Sequence, residues 1–94
     1  MTTEELKERI AKAAEALRRE GAREVYVFGS AATGRLRAGS DVDLAVSGLP
    51  PEVFFRAMGR ASRILECPLD LVDLDEDNPF TEYLKDEGEL VRVG

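Results

Sequence analysis

A chain of 94 residues has room for one domain, and residues 1–94 read as a single unit. With no histidine and one cysteine, Cys67, it cannot build a Ser-His-Asp or Cys-His nucleophile, a His-based zinc site or an internal disulfide. Thirteen basic against nineteen acidic residues give a net charge of −6, which argues against general nucleic-acid binding but leaves room for a phosphate ligand delivered with its metal.

In chain order, residues 2–20 predict an amphipathic helix. Thr2 and Glu5 have capping-box spacing, Leu6, Ile10, Ala13 and Leu17 recur at the helical period, and Gly21 is a natural stop. Glu24 to Phe28 form a β-rich run that ends at Gly29. The stretch from Gly29 to Ser40, with Gly34 and Gly39 inside it, reads as a loop or a loop with a short helical turn. Residues 41–47 predict a second strand, closed by Gly48 and Pro50-Pro51. Residues 51–66 predict a helix with Pro51 in its first turn and Phe54, Met58 (with Ala57), Ala61 and Leu65 as its buried stripe. A third strand follows at 69–74. Asn78-Pro79 opens a short helix to about Glu87, and Leu90 to Val93 add a last strand. The fold class expected is α/β or α+β, a small mixed sheet of three to four strands with helices packed on it. No run approaches the roughly 18 apolar residues of a membrane span, and the N-terminus lacks a signal-peptide pattern, so the expectation is a cytoplasmic protein with no membrane association.

The chemistry concentrates in Asp41-Val42-Asp43. Strand alternation sends Asp41 and Asp43 to one face and Val42 to the other, and two adjacent carboxylates repel unless they share a cation or a proton. Two exposed aspartates at a strand start and a divalent-metal site both fit the triplet alone. Upstream, with ten residues between, lies Gly29-Ser30, where glycine permits close backbone approach to a ligand and the following amides and hydroxyl suit terminal phosphates. Asp70 interrupts the apolar run of the third strand and is a candidate third carboxylate. Asp73 competes with it from the opposite parity. Carboxylates and hydroxyls favour Mg²⁺, or Mn²⁺, over softer metals. The Gly29-to-Gly34 spacing is not a P-loop, because Arg35-Leu36 stands where that motif needs Lys and then Ser or Thr.

Gly29-Ser30, ten residues, Asp41-Val42-Asp43 and a later strand aspartate together resemble the DNA polymerase β-type nucleotidyltransferase superfamily, most closely its minimal nucleotidyltransferases. Ser40 before Asp41 and Leu44-Ala45-Val46 after Asp43 extend the resemblance, which spans Val25 to about Leu74. It implies that Asp41, Asp43 and Asp70 are catalytic and hold two Mg²⁺ ions on a nucleoside triphosphate. Asp70 would also activate the attacking hydroxyl. Gly29, Ser30 and Ser40 would bind the nucleotide. Family members often carry an arginine just before the loop glycine, where this chain has Thr33; Arg35 and Arg37 either take over that charge or are solvated loop arginines.

The leading expectation is an Mg²⁺-dependent transferase that moves AMP from ATP, or another NMP from its NTP, to a hydroxyl. By resemblance, minimal nucleotidyltransferases pair with HEPN-domain toxins and adenylylate them, so the expected partner is a HEPN-domain protein and the role that of an antitoxin. The alternative is a non-catalytic or weakly active antitoxin that neutralises its partner by contact. An antibiotic-modifying enzyme would need a second domain to hold the drug. Arg56, Arg60 and Arg63 fall along one side of the 51–66 helix, as a solvated face or a docking stripe for an acidic partner.

Overall fold

The computed structural model describes residues 2–29, 41–88 and 90–93. Thr2 caps the first helix, α1 (Thr3–Arg19), by accepting the Glu5 amide at 3.1 Å. The helix ends where the sequence predicts. Gly21 sits at φ +127°, its amide bonds to the Arg18 carbonyl, and the Ala22 amide reaches Leu17, the double bond of a Schellman stop.

Strand β1 (Glu24–Phe28) follows, then β2 (Val42–Ser47). A 3-10 turn at Pro51–Val53 leads into α2 (Phe54–Leu65), so the helix expected at 51–66 opens more tightly than an α-helix. Its last cap is Glu66, in the left-handed region at φ 55°. Strand β3 (Leu69–Asp73), α3 (Pro79–Asp86) and the two-residue β4 (Val91–Arg92) complete the described chain.

The sheet has strand order β3-β2-β1-β4. β1 runs antiparallel to β2 and β4, whereas β2 and β3 are parallel, as a crossover through α2 requires. This is the small mixed sheet expected, an α+β fold. Alternation divides it cleanly. Val25, Val27, Val42, Leu44 and Val46 face α1 and α2, where they meet Leu6, Leu17 and Leu65 in the main core. Tyr26, Phe28, Ala45 and Val72 face the other way, toward Leu74 and Leu84 at α3.

The stripe predicted for α2 needs adjustment. Ala57, Ala61 and Leu65 are the buried residues, while Phe54 and Met58 stay half-buried. Small side chains on the inner line let α2 approach α1 closely, which leaves the larger ones at the margin. The arginine stripe also divides. Arg56 and Arg60 both reach Glu20 at the end of α1, at 2.8 and 3.1 Å, and so tie the two helices together. Arg63 borders a groove with Arg19 and Ile64.

Candidate functional site

The end of β1 sets the level of the site. Phe28, the last residue of that strand, pairs with Asp43 of β2, and Asp43 pairs with Asp70 of β3. Residues directly opposite in neighbouring strands project to the same side. Phe28, Asp43 and Asp70 therefore form one row across three strands, on the face turned away from α1 and α2. Sequence order alone leaves open whether Asp70 or Asp73 joins the pair. The register brings Asp70 alongside Asp43. Asp73 pairs with Val46 at the far end, and its carboxylate is occupied by the Asp75 amide at 2.9 Å.

Asp41 stands just before β2 rather than inside it, and it is exposed. The next residue, Val42, is fully buried, and its amide donates to the Pro68 carbonyl at 3.0 Å, which fastens the start of β2 to the start of β3. This fixes Asp41 near both Asp43 and Cys67. The electrostatics record that closeness. Burial pushes the Asp43 carboxyl above its ordinary range, and the negative charges of Asp70 and Asp41 push it further. Burial also pushes the Cys67 thiol up, reinforced by Asp41 and opposed by Arg9.

Gly29 is required where it is for two reasons. Its φ of +67° lies in the left-handed region, and a Cβ built on it would run into the Asp43 carboxylate, with Cγ only 3.3 Å away. Gly29, directly after β1, thus presses its backbone against the acid on β2. Ser30, Thr33, Arg35, Arg37 and Ser40, the other residues expected at the nucleotide, lie outside the described residues.

The donor set suits a hard divalent cation. It consists of carboxylate oxygens, and the neighbouring Cys67 is held in its neutral thiol form, a poor ligand. Among the described residues no three His, Cys, Asp or Glu side chains already close on a metal. Carboxylate oxygens are the donors a hard divalent cation such as Mg²⁺ takes, the rest of its shell coming from water and substrate phosphates. The crowding of negative charge around Asp43 is what such a cation would relieve.

A contact between two aromatic residues at this row has no place in the sequence reading. The Phe28 ring meets Phe80 of α3 edge to face, centroids 6.4 Å apart. A large aromatic directly after the helix-opening Pro79 was the signal available. A separate groove of about 290 Å³ is bordered by Pro51, Phe54, Phe55 and Leu71 together with Asp73 and Glu76, and none of Asp41, Asp43 and Asp70 lines it. No described helix is long and apolar enough to cross a membrane.

Comparison with known proteins agrees with this fold. Among solved structures the chain is similar to a protein provisionally assigned as a minimal nucleotidyltransferase, at 29% identity, covering 94% of each chain with a TM-score of 0.74. It also shares its fold with a toxin–antitoxin complex crystallised with AMP-PNP (24% identity, 89% of this chain and 70% of that one, TM-score 0.66). A third likeness is to the MntA–HepT toxin–antitoxin (22% identity, 87% and 68% covered, TM-score 0.62). No curated protein matches the sequence. The family model described as Polymerase beta, Nucleotidyltransferase matches residues 8–92, nearly the whole chain, and this protein belongs to that nucleotidyltransferase family.

Proposed function

We propose that this protein transfers AMP from ATP to a hydroxyl on a protein partner, acting as the antitoxin toward a HEPN-domain toxin. The observation that carries the reading is the pairing of Asp43 with Asp70, with Asp41 close enough to raise the Asp43 carboxyl and the Gly29 backbone pressed against Asp43. Family membership supports nucleotidyl transfer. The structural likeness to toxin–antitoxin complexes, one of them holding AMP-PNP, supports the nucleotide and the kind of partner.

Asp41 and Asp43 would hold Mg²⁺, with Asp70 as a further ligand. Bound there, the metal supplies neutralisation of the triphosphate charge and a lower pKa for the attacking hydroxyl. Asp70 accepts the hydroxyl proton, since the chain has no histidine to do so. The acceptor oxygen forms its bond to the α-phosphorus as the bond to the bridging oxygen breaks, and pyrophosphate leaves. Gly29 and Ser30 would bind the phosphates, and Ser40, Arg35 and Arg37 are the further nucleotide-binding residues of this proposal. The test is incubation with labelled ATP, Mg²⁺ and the toxin. Label on the toxin, lost in Asp41→Asn plus Asp43→Asn, is expected; no transfer, or equal transfer by the double variant, overturns the reading.

One observation favours neutralisation by contact instead. Phe55 is 77% exposed beside the groove at Pro51 and Leu71, the kind of apolar surface a partner covers. On that reading the double aspartate variant still protects cells.

A further inference from the structure

We infer that Phe80, braced by Phe28, is the platform on which the base of the bound nucleotide stacks. This rests on the nucleotidyl-transfer reading and adds the ligand's other end to it. Phe28 is paired directly with Asp43, so its ring leaves the sheet on the same face and at the same level as the carboxylate. Phe80 meets that ring at 65° and 6.4 Å, an edge-to-face arrangement that leaves much of Phe80 uncovered. It is 51% exposed.

That exposure is not the consequence of a loose helix. Asn78 and Thr81 cap α3 reciprocally: the Thr81 amide donates to Asn78 Oδ1 at 3.0 Å and the Asn78 amide to the Thr81 hydroxyl at 3.3 Å. The Thr81 hydroxyl donates in turn to the Glu76 carbonyl at 2.6 Å, and Thr81 and Leu84 are buried. A well-anchored first turn therefore presents an aromatic ring to solvent next to an acidic row. The acids repel an anionic or acidic ligand unless a cation accompanies it. A planar base carried by a metal-bound triphosphate satisfies both halves of the surface, its phosphates toward the carboxylates and its ring on Phe80. Stacking reads ring area rather than hydrogen-bonding edges, so purine nucleotides bind better than pyrimidine ones, with little choice between ATP and GTP from this contact.

The test is calorimetric titration of the full chain with Mg²⁺–AMP-PNP and, separately, with Mg²⁺–tripolyphosphate, which has no base. Phe80→Ala is expected to weaken AMP-PNP roughly tenfold and leave tripolyphosphate unchanged, with Phe80→Tyr restoring the wild-type affinity. Phe80→Leu keeps the bulk without the π face and serves where the alanine variant melts early; it is expected to lose AMP-PNP affinity as well. Unaltered AMP-PNP binding by both Phe80→Ala and Phe80→Leu overturns the inference alone. So does an equal loss for both ligands, or unaltered AMP-PNP binding accompanied by lost toxin binding, which would give the ring to the partner. A wild-type protein that binds neither ligand overturns this inference and the transfer reading together.

Discussion

Gly29 packs its backbone against the Asp43 carboxylate, in a left-handed conformation at φ +67° that leaves no room for a Cβ. Gly29 at the end of β1 and the acid on β2 are therefore one structural unit. Gly29→Ala meets both the left-handed penalty and the collision, and is expected to cost about 1–2 kcal/mol from the backbone alone. Displacing Asp43 should also lower transfer at least tenfold. Chemical denaturation of the double variant Gly29→Ala plus Asp43→Ala checks the contact: removing the carboxylate should make the glycine substitution less damaging. Strict additivity would mean the two residues do not meet.

Asp43 lies on the unfavourable side of a pH linkage. Its folded carboxyl is raised by burial and by Asp70 and Asp41, so its contribution to stability is fully present below the unfolded carboxylate value and is lost as pH rises through the higher folded value. Asp43→Asn should thus melt a few degrees higher than the wild type at neutral pH, with the gap closing below about pH 4. The same substitution should abolish transfer. Thermal melts against pH, with and without Mg²⁺, decide the point: Mg²⁺ should raise the wild-type melting temperature and leave the variant's nearly unchanged.

Cys67 offers a readout that needs no activity. Its thiol is pushed up by burial and by Asp41, so alkylation at neutral pH should be slow. Asp41→Asn removes the repelling charge and should speed alkylation several-fold. Mg²⁺ should have the same effect on the wild type and none on the variant. Iodoacetamide labelling rates followed by mass spectrometry test this.

Much of this architecture is legible in the residues because the short-range rules act without interference. Gly21, Pro51 and Asn78 mark helix ends by local geometry, and the alternation of Val42 and Asp43 assigns their faces before any partner strand is known. The choice of Asp70 over Asp73 could not be read locally, since it depends on a one-residue register between β2 and β3 that is set through the α2 crossover. The Phe28–Phe80 contact lay further out of reach. It joins residues about half the chain apart, on a helix whose docking is decided by a few buried side chains such as Leu84.

Glu20 shows the same limit from the other side of the sheet, where its sequence position suggests only a helix end. Its side chain is 10% exposed and receives Arg56 and Arg60 together, so two-thirds of the apparent arginine stripe is internal bracing between α1 and α2. Both arginines keep most of their surface in solvent, and screening holds the expected loss on Glu20→Gln to about 1 kcal/mol. Arg56→Ala and Arg60→Ala should each cost less than that, and neither should cost anything further in a Glu20→Gln background. Nucleotide binding should be unchanged in all of these variants, because the face covered by α1 and α2 lies opposite the row of Phe28, Asp43 and Asp70. Denaturation midpoints measured beside AMP-PNP titrations separate the two effects. A loss of nucleotide affinity in Arg56→Ala without a loss of stability would instead place that arginine in the recognition surface.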